Sequence, residues 1–125
     1  MNSFKIYCGG KFISTSTAIT VTNPFRKNSV AETFLAGNEE LEHAIAAAQQ
    51  SRSSLQQLAS WQRSEILTEI AQKIKSASTE LATLLSMESA KPIRYAQIEI
   101  DRAAQTFFVA AEECKRFPEI GRAHV

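Results

Sequence analysis

At Gly37 the spacing of apolar residues changes from about two to about 3.6, which divides the chain into a strand-forming first third and a helix-forming remainder. Ahead of the switch, Phe4, Ile6 and Cys8 alternate with Lys5 and Tyr7, and Lys11, Phe12 and Ile13 follow Gly9 and Gly10. Two glycines between such runs can take the positive φ angles of a primed hairpin turn. Ile19 to Thr22 alternates again and stops at Asn23-Pro24, a turn signal. Arg26 to Ser29 reads as a solvated turn and Val30 to Leu35 as a further strand, so a small β-meander is expected.

Beyond Gly37 the pattern predicts four helices. Asn38 is placed to cap the first, with Glu39 and Glu40 in the first turn, where the helix dipole favours acid. Leu41, Ala44, Ile45, Ala48 and Leu55 trace its apolar face, and Ser51 to Ser54 is expected to loosen its end. Ser60 is placed to cap a second helix faced by Ile66, Leu67, Ile70, Ala71 and Ile74, with a break at Ser76 to Thr79. Leu81, Leu84 and Leu85 mark a third, which should end before Pro92 because the residue ahead of a proline avoids the α region. The fourth and longest runs from about Ile93 to Lys115, with Ile100, Ala103, Ala104, Phe107, Phe108 and Ala111 as its stripe and Pro118 as its stop. Its small residues permit close helix packing. A helix apolar round much of its girth, and short strands whose edges need cover, point to a part of something larger.

Composition removes several classes. A chain of 125 residues has room for one modest domain, and 44% hydrophobic with 22% charged residues argues against disorder. The net charge of +1, from 14 basic and 13 acidic residues, gives no reason to expect nucleic acid or an anionic membrane as partner. No apolar run approaches the roughly 20 residues of a transmembrane helix, and Met1 to Lys5 does not open a signal peptide. Cys8 and Cys114 stand far apart and form no Cys/His cluster in sequence, which suggests a reducing compartment and a cytosolic chain.

The chemistry-bearing residues are sparse. No Gly-rich phosphate loop is present, since Cys8-Gly9-Gly10-Lys11 is too short and lies in a hairpin. His43 stands alone on a polar helix face and His124 near the end, so both read as surface histidines. Cys8 has no sequence neighbour able to activate it, and Cys114 reads as a small buried side chain. Trp61 and Met87 read as core or interface fillers, and Lys73 with Lys75 as a solvated helix face. From the residues alone, the chain is an α+β domain with no visible active site.

The order of segments resembles the N-terminal region of the aldehyde dehydrogenase superfamily. The resemblance rests on Tyr7 to Ile13, Val21-Thr22-Asn23-Pro24, Glu39 to Ala48, Gln62 to Leu67, Glu88-Ser89-Ala90-Lys91-Pro92, and Glu99 to Ala103 running on to Phe107 and Ala110 to Glu113. It covers about residues 5 to 117. At Ser89-Ala90 the family usually has glycine before Lys-Pro. The wording of the fourth helix is nearest the branch acting on lactaldehyde, glyceraldehyde-3-phosphate (non-phosphorylating) and similar small aldehydes.

The resemblance implies an α/β parent fold in which residues 1–119 form an incomplete, N-terminal part of the cofactor-binding domain. It also implies a homo-oligomeric parent that oxidises a small aldehyde with NAD or NADP. In such an enzyme a cysteine thiolate attacks the aldehyde carbon, hydride passes to the cofactor, and a glutamate-activated water hydrolyses the thioester. The family places that cysteine, the glutamate and the dinucleotide-binding turns further along than residue 125, so no catalytic or cofactor-binding residue is assigned here. Two roles carry over. Val21 and Thr22 carbonyls with the Glu99 carboxylate match a monovalent-cation site; the plainer alternative pairs Glu99 with Arg102 one helical turn on. Arg102 matches an arginine that meets the anionic group of phosphorylated aldehydes, where paired N–H donors suit the task; the plainer alternative is a surface or ion-paired arginine.

Residues 120–125, Ile120 to Val125, depart from the family and read like one translated frame of a common sequencing adapter, so a non-native, disordered tail is expected there. The reading of a different class is a free-standing helical interaction module presenting the second to fourth helices.

Overall fold

The computed structural model describes residues 2–116. They fall into two compact units: residues up to Gln57 together with Met87–Ala90, and Leu58–Ser86 together with residues from Lys91 on.

The first unit holds strands β1 (Asn2–Ser3), β2 (Ile6–Cys8), β3 (Lys11–Ile13), β4 (Ala18–Thr22) and β5 (Ser29–Phe34), and helix α1 (Asn38–Gln57). Gly9 and Gly10 sit at φ +57° and +87°, the positive values that a two-residue hairpin between β2 and β3 requires. Edge-to-face packing of Tyr7 and Phe12, a cross-strand pair with ring centroids 5.2 Å apart, reinforces the hairpin. The strands do not form the single meander expected. They make a separate β2–β3 ribbon and a three-stranded sheet ordered β1-β5-β4, with β1 parallel to β5. The first apolar run is therefore split: the Phe4 amide donates to the Glu32 carbonyl at 2.8 Å, extending β1 along β5, before the chain leaves for β2. Between Val21 and Thr22 the β4–β5 register skips one residue, a β-bulge just ahead of Asn23-Pro24.

Gly37, not Asn38, is the N-cap of α1. Its carbonyl accepts from the Leu41 amide at 3.1 Å, and its amide donates back to Glu40 Oε2 at 2.7 Å, half of a capping box. Ser51 to Ser54 remain helical, and the Ser51 hydroxyl donates to the Ala47 carbonyl one turn earlier, at 2.9 Å, which satisfies it within the helix. The apolar stripe expected on α1 exists but is uncovered: no α1 residue is buried, and Leu41, Ile45 and Leu55 are exposed.

The second unit is built on α2 (Ser60–Ser76) and α4 (Ile93–Arg116), which pack along one another, with most of α3 (Ser78–Ser89). Helix α2 begins after Ala59, not after a Ser60 cap; the Ala59 amide donates to Gln62 Oε1 at 2.9 Å. The break expected over Ser76 to Thr79 shrinks to one residue, Ala77. Its amide donates back to Lys73 and its carbonyl accepts from Leu81, so little helical bonding is lost. Small residues form the core: Ser64 and Ala71 on α2, Ala82 on α3, and Ala96, Ala104 and Ala111 on α4 are buried. Small residues about two turns apart let helix backbones approach closely, and the larger Ile100, Phe107 and Phe108 on α4 are half-buried. Trp61, Ile66, Tyr95, Ile98 and Val109 remain exposed, so Trp61 is no core filler. Residues 120–125 and His124 lie outside the described residues.

Candidate functional site

The best-organised polar centre is Asn23, buried to 8% exposure at the end of β4. Its side-chain carbonyl accepts from the amides of Phe25 (3.0 Å) and Arg26 (2.8 Å), closing an Asx-type turn around Pro24. Its side-chain amide donates to the Met87 carbonyl at 2.6 Å, and its own backbone pairs with Asn28 and Lys27. One side chain thus fixes the turn after β4 and holds the last turn of α3 in the same unit. Val21 and Thr22 stand immediately before it, at the bulge.

Ala90 follows α3 at φ +57°, a left-handed C-terminal position that glycine normally fills. This gives a physical reason for the family's glycine ahead of Lys-Pro, and it marks Ala90 as a strained departure.

In the second unit Glu99, on the second turn of α4, is paired with Lys91 rather than with Arg102. Ser86 donates to the Lys91 carbonyl at 2.7 Å, bracing the approach to α4. Arg102 lies exposed on α4, and its side chain has no hydrogen bond or ion pair among the described residues. A groove of about 340 Å³ lined by Lys75, Asp101, Ala104, Gln105 and Phe108 runs between α2 and α4. On the outer face of α2, Lys73 sits 2.7 Å from Glu69, and its hydrogen bond, then its charge, hold the Glu69 carboxyl below the usual carboxylate value.

His43 is not alone. Its Nδ1 lies 3.8 Å from Cys8 Sγ, which also donates to the Glu40 carbonyl at 3.2 Å. Sequence reasoning missed this pair because the partners are 35 residues apart and meet only when the β2–β3 ribbon lies against α1. Gly9 makes the approach possible: a Cβ there would stand 2.7 Å from the His43 ring, a closeness that only the fold reveals. Cys114 is half-buried, and Met87 is exposed although its carbonyl is engaged.

Among the described residues no three metal-ligating side chains converge, and no helix is long and apolar enough to cross a membrane. The described residues also present no nucleophile flanked by an oxyanion cradle. The described arrangement combines a polar turn, a braced helix entry and the exposed Arg102.

Residues 12–122 match the model of the aldehyde dehydrogenase family, and the chain belongs to that family. Its order of short strands followed by four helices is that of the family's fold. Within it, the chain is 28% identical over 116 residues to 3-sulfolactaldehyde dehydrogenase of Priestia aryabhattai, covering 93% of this chain and 24% of that protein. Lactaldehyde dehydrogenase of Methanocaldococcus jannaschii is 31% identical over 106 residues, covering 85% and 23%. Aldehyde dehydrogenase 21 of Physcomitrella patens, solved with its reaction product succinate, superposes with a TM-score of 0.87 at 28% identity, covering 97% of this chain and 27% of that one. Betaine aldehyde dehydrogenase of Staphylococcus aureus, solved with NAD+, gives 0.80 at 23% identity, covering 85% and 22%. The chain spans about a quarter of the length of these relatives.

Proposed function

We propose that this chain is the N-terminal part of an NAD(P)-dependent aldehyde dehydrogenase that oxidises a small aldehyde carrying an anionic group. Residues 1–119 serve as an outer part of its cofactor-binding domain. The observation that supports this reading best is family membership over residues 12–122 in a chain a quarter as long as its relatives. The named substrate of one relative carries a sulfonate, and a solved relative holds a dicarboxylate product. NAD+ occupies another. Arg102, exposed and with no partner side chain among the described residues, has the chemistry to meet such a group.

The catalytic cysteine, the activating glutamate and the dinucleotide-binding turns are assigned outside this chain, so the chain alone is inactive. Incubation with small aldehydes and NAD+ or NADP+ should give no cofactor reduction; reduction above background overturns the assignment. In an enzyme containing the rest of the family's length, Arg102→Leu should raise KM for an anionic aldehyde several-fold and leave a neutral one unchanged. Equal effects on both remove the role. The monovalent-cation role of Val21, Thr22 and Glu99 rests on the family resemblance. It competes with the Lys91–Glu99 pair, and a Na+- or K+-dependent rise in Tm that Glu99→Gln abolishes is its test. A cytosolic, homo-oligomeric parent rests likewise on the sequence and the family.

A further inference from the structure

The Cys8–His43 pair takes no part in the dehydrogenase reading, and its geometry has a use of its own. The strand β2 carries a buried thiol (5% exposed) to the first turns of α1, where His43 presents its ring from solvent. Gly9 at φ +57° leaves room for that ring, whose Cε1 and Nδ1 would lie 2.7 and 3.2 Å from any Cβ added there. The result is a sulfur and an imidazole nitrogen 3.8 Å apart, with the Glu40 carbonyl 3.2 Å from the sulfur.

Zn2+ bonds to thiolate sulfur at about 2.3 Å and to imidazole nitrogen at about 2.0–2.1 Å, so donors 3.8 Å apart subtend about 120° at a shared ion. That angle is the trigonal value, about 10° wider than tetrahedral, which zinc coordination tolerates. We propose that Cys8 Sγ and His43 Nδ1 form a two-side-chain site for a thiophilic divalent cation, Zn2+ in particular, which clips the β2–β3 ribbon to α1. The ion displaces the thiol proton, which leaves to solvent. The sulfur and Nδ1 lone pairs form the two bonds, with the imidazole proton on Nε2, and no electron is transferred. The Glu40 carbonyl oxygen and water complete the coordination. Thiolate and imidazole donors select Zn2+ over the oxygen-seeking Mg2+ and Ca2+. The ion enters from the exposed His43 side.

The test is titration of the purified 125-residue chain with Cd2+ as a spectroscopic stand-in, reading the ultraviolet sulfur-to-cadmium charge-transfer band, with Zn2+ as competitor. The expected result is one equivalent bound and displaced by Zn2+, a band lost in Cys8→Ser, and affinity at least tenfold weaker in His43→Gln. Cys114→Ser should change nothing. A band that follows Cys114, equal affinity in His43→Gln, or no band overturns the proposal. His43 is exposed on a helix, so that variant decides the matter even if Cys8→Ser fails to fold. If the metal-free chain is not helical by circular dichroism, the site requires Cd2+ to raise its helix content, because binding to a preformed geometry is coupled to folding. No gain overturns it equally.

Discussion

Replacing Asn23 tests whether one buried amide organises the first unit. Asn23→Ala removes three side-chain hydrogen bonds: those from the Phe25 and Arg26 amides at 3.0 and 2.8 Å, and the donation to the Met87 carbonyl at 2.6 Å. Each net bond contributes about 1 kcal/mol. Phe25, Arg26 and Met87 are exposed, so water can recover part of the loss, and the expected cost is about 2 kcal/mol. For a domain of this size that corresponds to a fall in Tm of about 10 °C. Asn23→Asp retains both amide acceptors but sets an oxygen against the Met87 carbonyl, so it should cost about 1–2 kcal/mol despite being nearly isosteric. Urea unfolding followed by far-ultraviolet circular dichroism gives both values, and hydrogen exchange at Phe25 and Arg26 locates the effect. An Asn23→Asp chain as stable as the parent, or an Asn23→Ala chain within about 0.5 kcal/mol of it, refutes the reasoning.

Three other perturbations follow from the structure. Ala90→Gly relieves a left-handed residue at φ +57° and should stabilise the chain by about 1 kcal/mol, read as a higher urea midpoint at unchanged m-value. Ala104→Leu forces extra methylenes into the seam against α2, where Ala104 is 5% exposed, and should cost about 1–3 kcal/mol. Lys73→Gln should let the Glu69 carboxyl rise toward its usual value, followed by NMR titration. With Lys73 present the carboxyl is held low, so the small stabilisation from the pair is present at neutral pH and fades as pH falls through the lowered value; in Lys73→Gln that acid dependence should vanish.

Local physics made much of the chain legible. Gly9-Gly10 required positive φ and marked the hairpin, Gly37 marked the change from strands to helices, and Pro92 and Ile93 placed the start of α4. The misreadings lie where a side chain or a distant partner overrides local preference. Ser51, expected to loosen the end of its helix, instead bonds within it, and in place of a Ser60 cap the Gln62 side chain reaches back from the third helical position to the Ala59 amide. Phe4 joins β5 rather than its sequence neighbours because an amide finds Glu32 across the fold. The packing seam is the clearest case. The stripes included Ala71, Ala104 and Ala111, and on α2 and α4 only such small residues, with Ser64 and Ala96, are buried, while Leu41, Ile45, Leu55 and Val109 are exposed. The period says which positions share a face; it does not say whether anything covers that face. Of the site residues, Val21, Thr22, Glu99 and Arg102 were named from the family resemblance. The Cys8–His43 meeting had no linear signature.

If these exposed apolar faces pack against the remaining length of an aldehyde dehydrogenase, as proposed, the isolated chain leaves them open to solvent. Hydrophobic-dye binding of the isolated chain, measured with its association state across a concentration series, tests it most directly. Strong dye fluorescence and concentration-dependent self-association are expected. A chain that stays monomeric at high concentration and binds no dye contradicts it.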